Sequence, residues 1–219
     1  MPRPSRNIDQ LLINAALELL PTAGTRALSI RQVCEHAGVN LGMFHYHFKT
    51  RDVFLRVVLQ QMYDGMFATL VLAADRQSLP QESLRAALMT LARFARDHRH
   101  LLVRLISDAL VGEAVAIEFL QRNLPRHIGL LVKLISAAQH DGTLRRMPPL
   151  QAFAFLVGAV GASILLGTAA ANSGLLPAPL VDHFEHAILT DDAIALRIEM
   201  ALAGLVPPPA RNAKPGGRQ

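Results

Sequence analysis

Few residues in this chain stand in a pattern that could make or break a covalent bond. Ser29, Ser107 and Ser163 lack the Gly-x-Ser-x-Gly setting of a nucleophile elbow. No phosphate loop or dinucleotide fingerprint occurs. The carboxylates are scattered without a spacing that pairs an acid with a base, so no enzyme and no cofactor is expected. Asp182, His183 and His186 could set two imidazoles on one helical face, but without a further ligand at fixed spacing a solvated surface is the better reading, and no metal site is expected. His98 and His100 flank Arg99 as polar residues of an interhelix join. His45 and His47 stand too close in a helix to share a face, which favours helix support or DNA contact over a metal. What remains is recognition chemistry. Met43, His45, Tyr46, His47 and Lys49 bring together apolar, aromatic, polar and basic groups, the mix that meets base edges and phosphates.

Those residues sit within Ser29–Lys49, which reads as two short helices joined by a tight turn. Ser29 and Gln32 have the spacing of a capping box. Ile30, Val33, Cys34 and Ala37 then form one apolar face at helical spacing. Gly38 stands where a left-handed C-cap residue is needed, with Val39 packing back over the turn. Asn40 caps the next helix, which buries Phe44 and Phe48. A helix, a Gly-containing turn and a second helix make a helix-turn-helix, whose second helix enters the DNA major groove.

The string Ala37-Gly38-Val39, Gly42, Phe44, Tyr46-His47-Phe48-Lys49 and Asp52-Val53-Phe54 resembles the N-terminal domain of TetR-type transcriptional repressors, from about Ile8 to Met62. Two positions depart from the family pattern. Leu41 stands where a polar or basic residue is frequent, and His45 where a phosphate-touching tyrosine is common. The resemblance implies an all-α chain with a three-helix DNA-binding head and a C-terminal helical domain for ligand binding and dimerisation. It also implies a homodimer on a palindromic double-stranded operator, released when a small molecule changes the spacing of the heads, and a phosphate-contacting role for Lys49.

Direction along the second helix assigns further roles. Met43, His45 and Tyr46 are the expected groove and backbone readers, with His47 beside them, and Gly42 permits close approach to DNA. Thr50 caps the fourth helix and adds a phosphate bond, while Arg31, Asn40, Arg3 and Arg6 complete the candidate contacts.

Charge distribution agrees with that placement. Residues 1–60 carry seven Lys/Arg against four Asp/Glu, residues 61–205 twelve against thirteen, and residues 206–219 three against none. Basic charge thus concentrates on the helix-turn-helix and the tail, where phosphates would be met. Cys34, the single cysteine, excludes an internal disulfide, and its place on the inner helix face favours core over redox sensing. Met1–Asn7 has no apolar run after its positive charges, so a cytoplasmic protein is expected.

The expected organisation is a head at 1–50, a connecting helix at about 50–73, a helical effector-binding and dimerisation domain at 74–205 and a disordered basic tail at 206–219. Asn7 should cap the first helix, with Ile8, Leu11, Leu12, Ala15, Ala16, Leu19 and Leu20 as its buried stripe. The connecting helix should turn Phe54, Val57, Val58, Met62 and Met66 to the core. Further helices are predicted near 81–97, 98–111, 113–140, 150–171 and 191–205, with Pro125 starting, kinking or splitting the third. Leu150–Val181 carries no charge, long enough for a membrane span. Its small residues Ala154, Gly158 and Ala162 favour a helix buried at a subunit interface instead, so no membrane is expected. Met89, Phe94, Phe119, Phe153 and Phe155 could line an apolar ligand cavity, with Arg104, Asp108 or His127 as its polar contacts. Two other classes stay open: a ligand-independent DNA-binding or architectural protein, and a membrane-associated helical protein.

Overall fold

The computed structural model describes residues 5–76 and 79–208, and among these holds eleven α-helices, one π-helical segment and no strand. Arg3, the side chain of Arg6 and most of the basic tail lie outside the described residues. The first helix, α1 (Ser5–Ala27), starts before Asn7, and the side chain of Asn7, expected to cap it, lies outside the described residues. Leu12, Ala15, Ala16 and Leu20 are buried as the periodicity requires, but Ile13 replaces Leu11 on the inner face. Gly24, at φ 71° and ψ 176°, breaks the helix in a region open essentially to glycine alone.

Helix α2 (Ile30–Ala37) has both halves of its capping box: Gln32 N–H donates to Ser29 Oγ (3.2 Å) and Ser29 N–H to Gln32 Oε1 (3.0 Å). Gly38, at φ 65°, ends it in the left-handed conformation, and Val39 N–H donates to the Cys34 carbonyl. Asn40 Oδ1 accepts from Met43 N–H (2.9 Å) and starts α3 (Leu41–Phe48). Thr50 Oγ1 accepts from Val53 N–H and starts α4 (Arg51–Asp75). Phe54, Leu55, Val58 and Leu59 fill the inner side of α4, whereas Val57 is exposed, contrary to its predicted core role.

The second half contains α5 (Pro80–Asp97), α6 (Arg99–Leu110), α7 (Ala114–His140), α8 (Pro149–Val157), a π segment (Gly158–Ala162), α9 (Ser163–Asn172), α10 (Ala178–Ile188) and α11 (Asp191–Ala203). Pro125 lies inside α7 without ending it. The π segment interrupts the single helix predicted over 150–171, and α10, with Pro177 at its cap and Pro179 in its first turn, gives Asp182, His183 and His186 the helical setting considered for them.

Two apolar cores result. Leu84, Leu88, Leu131, Ile135, Leu156 and Ile194 belong to the larger. The head core joins α1–α4 but also takes Leu101 and Leu105 from α6 and Val115 and Ala116 from α7. The head is thus seated on α6 through shared buried side chains rather than tethered by α4 alone. Two helical stretches, Arg51–Asp75 and Pro149–Asn172, are long and apolar enough to cross a membrane by length and composition. The first of these supplies both cores. The second exposes Leu150, Phe155 and Leu166, and neighbouring α11 exposes Leu196 and Met200.

Candidate nucleic-acid interface and internal cavity

The outer face of the head is built from its inner one. Phe44 and Phe48 are buried, and both rings pack on Phe54 of α4, at centroid distances of 5.2 and 4.7 Å. These contacts fix the rotation of α3 and leave Leu41, Gly42, His45, Tyr46 and Lys49 exposed as one stripe. Tyr46 is the extreme case, with 77% of its surface exposed. Met43 is half-buried at the edge of the stripe. The side-chain oxygen of Asn40 is engaged in capping, and Arg31 is exposed but paired with Glu35 one turn away (2.8 Å).

His47 corrects the sequence reading. Its side chain is only 8% exposed and its Nδ1 lies 2.5 Å from Asp9 Oδ1 of α1. It secures the back of α3 rather than facing DNA. The relevant signal was available: His47 lies three residues after Phe44, on the inward side of a helix. His45 Nδ1 lies 3.2 Å from the Lys49 carbonyl, so one ring nitrogen closes the helix end while the ring stays exposed.

Lys49 is the one non-glycine among the described residues with positive φ. At φ 57° and ψ −58°, with Thr50 N–H donating to the Phe48 carbonyl at 2.6 Å, it is the centre of a strained three-residue γ-turn. Such strain costs about 1–3 kcal/mol and collects at functional positions. It turns the chain sharply between α3 and α4 with Lys49 exposed at the corner.

The loop before α2 is held from two sides. Arg51 donates from Nε to the Leu28 carbonyl (2.8 Å) and from Nη2 to the carbonyls of Thr25 and Arg26. Asp108 of α6, 8% exposed, accepts from Thr25 N–H (2.6 Å), Thr25 Oγ1–H (2.7 Å) and Arg26 N–H (3.2 Å). A cation thus meets the orphan carbonyls at the end of α1, and a carboxylate meets the amides just after the break at Gly24. Asp108 is therefore not a ligand contact, as its sequence position had implied, but a bond between the helical domain and the head.

A cavity of about 220 Å³ opens between α4, α5, α6, α7 and the π segment. Of the predicted lining, Phe94, Phe119 and His127 are on its wall. Met89 and Phe153 are not on it, although like Phe94 and Phe119 they pack against the larger core, and Arg104 and Phe155 are exposed. Sequence reasoning missed Tyr63, Leu105, Asn123 and Gly161, which the wall also includes. Tyr63 and Leu105 carry helix-core periodicity, and nothing in sequence separates core from cavity wall. Tyr63 O–H donates to the Asn123 carbonyl (2.8 Å), and burial pushes its phenol up. Burial likewise holds the His127 imidazole below its ordinary range. Among the described residues no cluster of three or more His, Cys, Asp or Glu could hold a metal ion, and Asp182, His183 and His186 are all exposed.

Comparison with known proteins gives a consistent result. The family of bacterial regulatory proteins of the tetR type matches residues 12–58. The HTH-type transcriptional repressor KstR2 of Mycolicibacterium smegmatis is 25% identical over 146 residues, covering 65% of this chain and 70% of that protein. Among solved structures, the ketosteroid transcriptional regulator KstR2 of Mycobacterium tuberculosis superimposes with a TM-score of 0.69 at 15% identity, over 94% of this chain and 98% of that one. The TetR family regulator PfmR of Thermus thermophilus gives 0.66 at 16% identity, over 90% and 99%. These two structures share the fold.

Proposed function

We propose that this chain, a TetR-type transcriptional regulator, works as a cytoplasmic homodimeric repressor that holds a palindromic operator and releases it when a small apolar effector fills the helical domain. The observation that carries the DNA half is the α3 stripe, with Tyr46 exposed on a helix that Phe44 and Phe48 lock in rotation. Tyr46 reads a thymine methyl or a base edge. Lys49 and Thr50, at the turn into α4, meet phosphate, as does Arg31. Met43 and His45 complete the readers, Gly42 lets the helix approach, and Asn40 acts through the cap that positions Met43.

Dimerisation is supported by the apolar face of α8, α9 and α11. Leu166 and Leu196 are 69% and 61% exposed, and an apolar face of this kind on a soluble protein is normally covered. A second copy related by a two-fold axis covers it and sets two heads about one helical turn of DNA apart.

Release follows from α6. Leu102, Leu105 and Ile106 line the cavity, and Asp108 on the same helix holds Thr25 and Arg26 at the entry to α2. A ligand that prefers one position of α6 therefore biases the position of the head. Its leverage is limited by its differential affinity for the two states.

The test is selection of random duplex DNA by the purified full chain, with the stoichiometry of the selected complex measured by sedimentation. Enrichment of an inverted repeat bound by two chains is the expected result. Enrichment of a non-repeated site bound by one chain would overturn the dimeric reading.

A further inference from the structure

The cavity wall combines 22 residues, of which only Tyr63, Asn123 and His127 carry polar side chains, and none is charged. Where each polar hydrogen goes can be followed. The Tyr63 hydroxyl donates to the Asn123 carbonyl at 2.8 Å. The Asn123 amide donates to the Phe119 carbonyl (2.9 Å) and to Gln60 Oε1 (3.3 Å), while its oxygen faces Gln60 Nε2 at 3.3 Å. His127 Nδ1 lies 3.3 Å from the Tyr63 oxygen, whose own hydrogen is already engaged by the Asn123 carbonyl. Nδ1 is therefore the protonated nitrogen of a neutral ring, and Nε2 keeps its lone pair. Every side-chain donor on the wall has an internal partner, and the group left over is an acceptor.

We propose that the cavity takes a neutral alcohol or phenol of about ten heavy atoms, held by donation of its hydroxyl hydrogen to His127 Nε2. This rests on the effector reading above and narrows it. The size follows from the volume. A dry apolar cavity of about 150 Å³ accepts benzene, and this one, at about 220 Å³, is half as large again. A fused four-ring skeleton carries more heavy atoms than the ligand proposed and serves as the size control. The polarity follows from the missing donor. An aldehyde, ketone or ester would bring an acceptor that meets no hydrogen, and a carboxylate would bring a charge that meets no cation. Burial keeps His127 neutral at physiological pH, so the imidazolium form does not supply that cation.

The test is calorimetric titration of the full chain at neutral pH with n-octanol, octanal and octanoate, which share one chain length, and with androstenedione as the oversized probe. Wild type and His127→Phe are compared, since phenylalanine keeps the ring volume and removes the acceptor. The expected result is octanol binding about tenfold tighter than octanal, no binding of octanoate or the steroid, and loss of the octanol preference in His127→Phe. Octanal or octanoate binding as tightly as octanol, or a preference that survives His127→Phe, would overturn the proposal while leaving an effector cavity standing. If none of the four probes bound, the proposal would fall, while the effector reading would fall only if no apolar compound released the selected operator.

Discussion

Replacing Asp108 by alanine should loosen the head at a site far from its DNA-facing surface. The carboxylate is buried and accepts three hydrogen bonds, from Thr25 N–H, Thr25 Oγ1–H and Arg26 N–H. Alanine leaves two backbone amides without their acceptor, while the Thr25 hydroxyl keeps a longer contact to Glu113 Oε2 at 3.3 Å. An orphaned buried group costs about 1–3 kcal/mol, so Asp108→Ala should lose roughly 3–4 kcal/mol of unfolding free energy. Asp108→Asn keeps one acceptor oxygen but loses the charge and should lose about half of that. Gly24 supplies an internal control, because a Cβ there would lie 2.7 Å from Asp108 Oδ2 in addition to its strained φ. Gly24→Ala should therefore be less damaging in the Asp108→Ala background than alone, with a coupling above about 1 kcal/mol. Urea unfolding of the two single variants and the pair measures all of this. An Asp108→Ala variant within about 0.5 kcal/mol of wild type, or strict additivity with Gly24→Ala, would refute the carboxylate clamp.

Three further outcomes follow from buried groups. His47→Ala should lower unfolding free energy by about 1–2 kcal/mol while leaving the selected DNA sequence unchanged, which a selection experiment beside urea unfolding would reveal. Burial lowers the folded-state pKa of His98, His100 and His127 from the ordinary 6.5. The unfolded chain then binds more protons, so stability is full above that value and falls as pH drops through it. His127→Phe should flatten part of the slope, and unfolding midpoints independent of pH between about 7 and 5 would contradict it. Burial also pushes the Cys34 thiol up, so iodoacetamide should label it at least about 100-fold more slowly in the folded chain than in urea. Equal labelling rates would put Cys34 on an open surface.

Local signals made the head readable. The Ser29/Gln32 box, the left-handed Gly38 and the Asn40 and Thr50 caps each depend on neighbours within a turn, and all have the predicted geometry. What failed depended on distance. Asp9 and Asp108 are remote in sequence from the His47 and Thr25 they hold, and no periodicity pairs them. Phe94, Phe119 and His127 lie on the cavity wall, but Met89 and Phe153, of the same apolar character, do not. The deciding factor is which helix face closes on a neighbour. Charge-free Leu150–Val181 hid the π segment, since composition carries no register once polar punctuation is absent.

The most direct test of the account is the salt dependence of binding to a selected inverted repeat, for wild type, Tyr46→Ala and Lys49→Gly. Glycine accepts the φ of 57° at position 49 without strain, so that variant removes the ammonium and preserves the turn. The account predicts that Tyr46→Ala relaxes sequence preference and keeps the salt slope. It predicts that Lys49→Gly weakens binding to all sequences alike and reduces the slope by about one unit per head. Unaltered affinity and preference in both variants would mean that α3 does not face DNA.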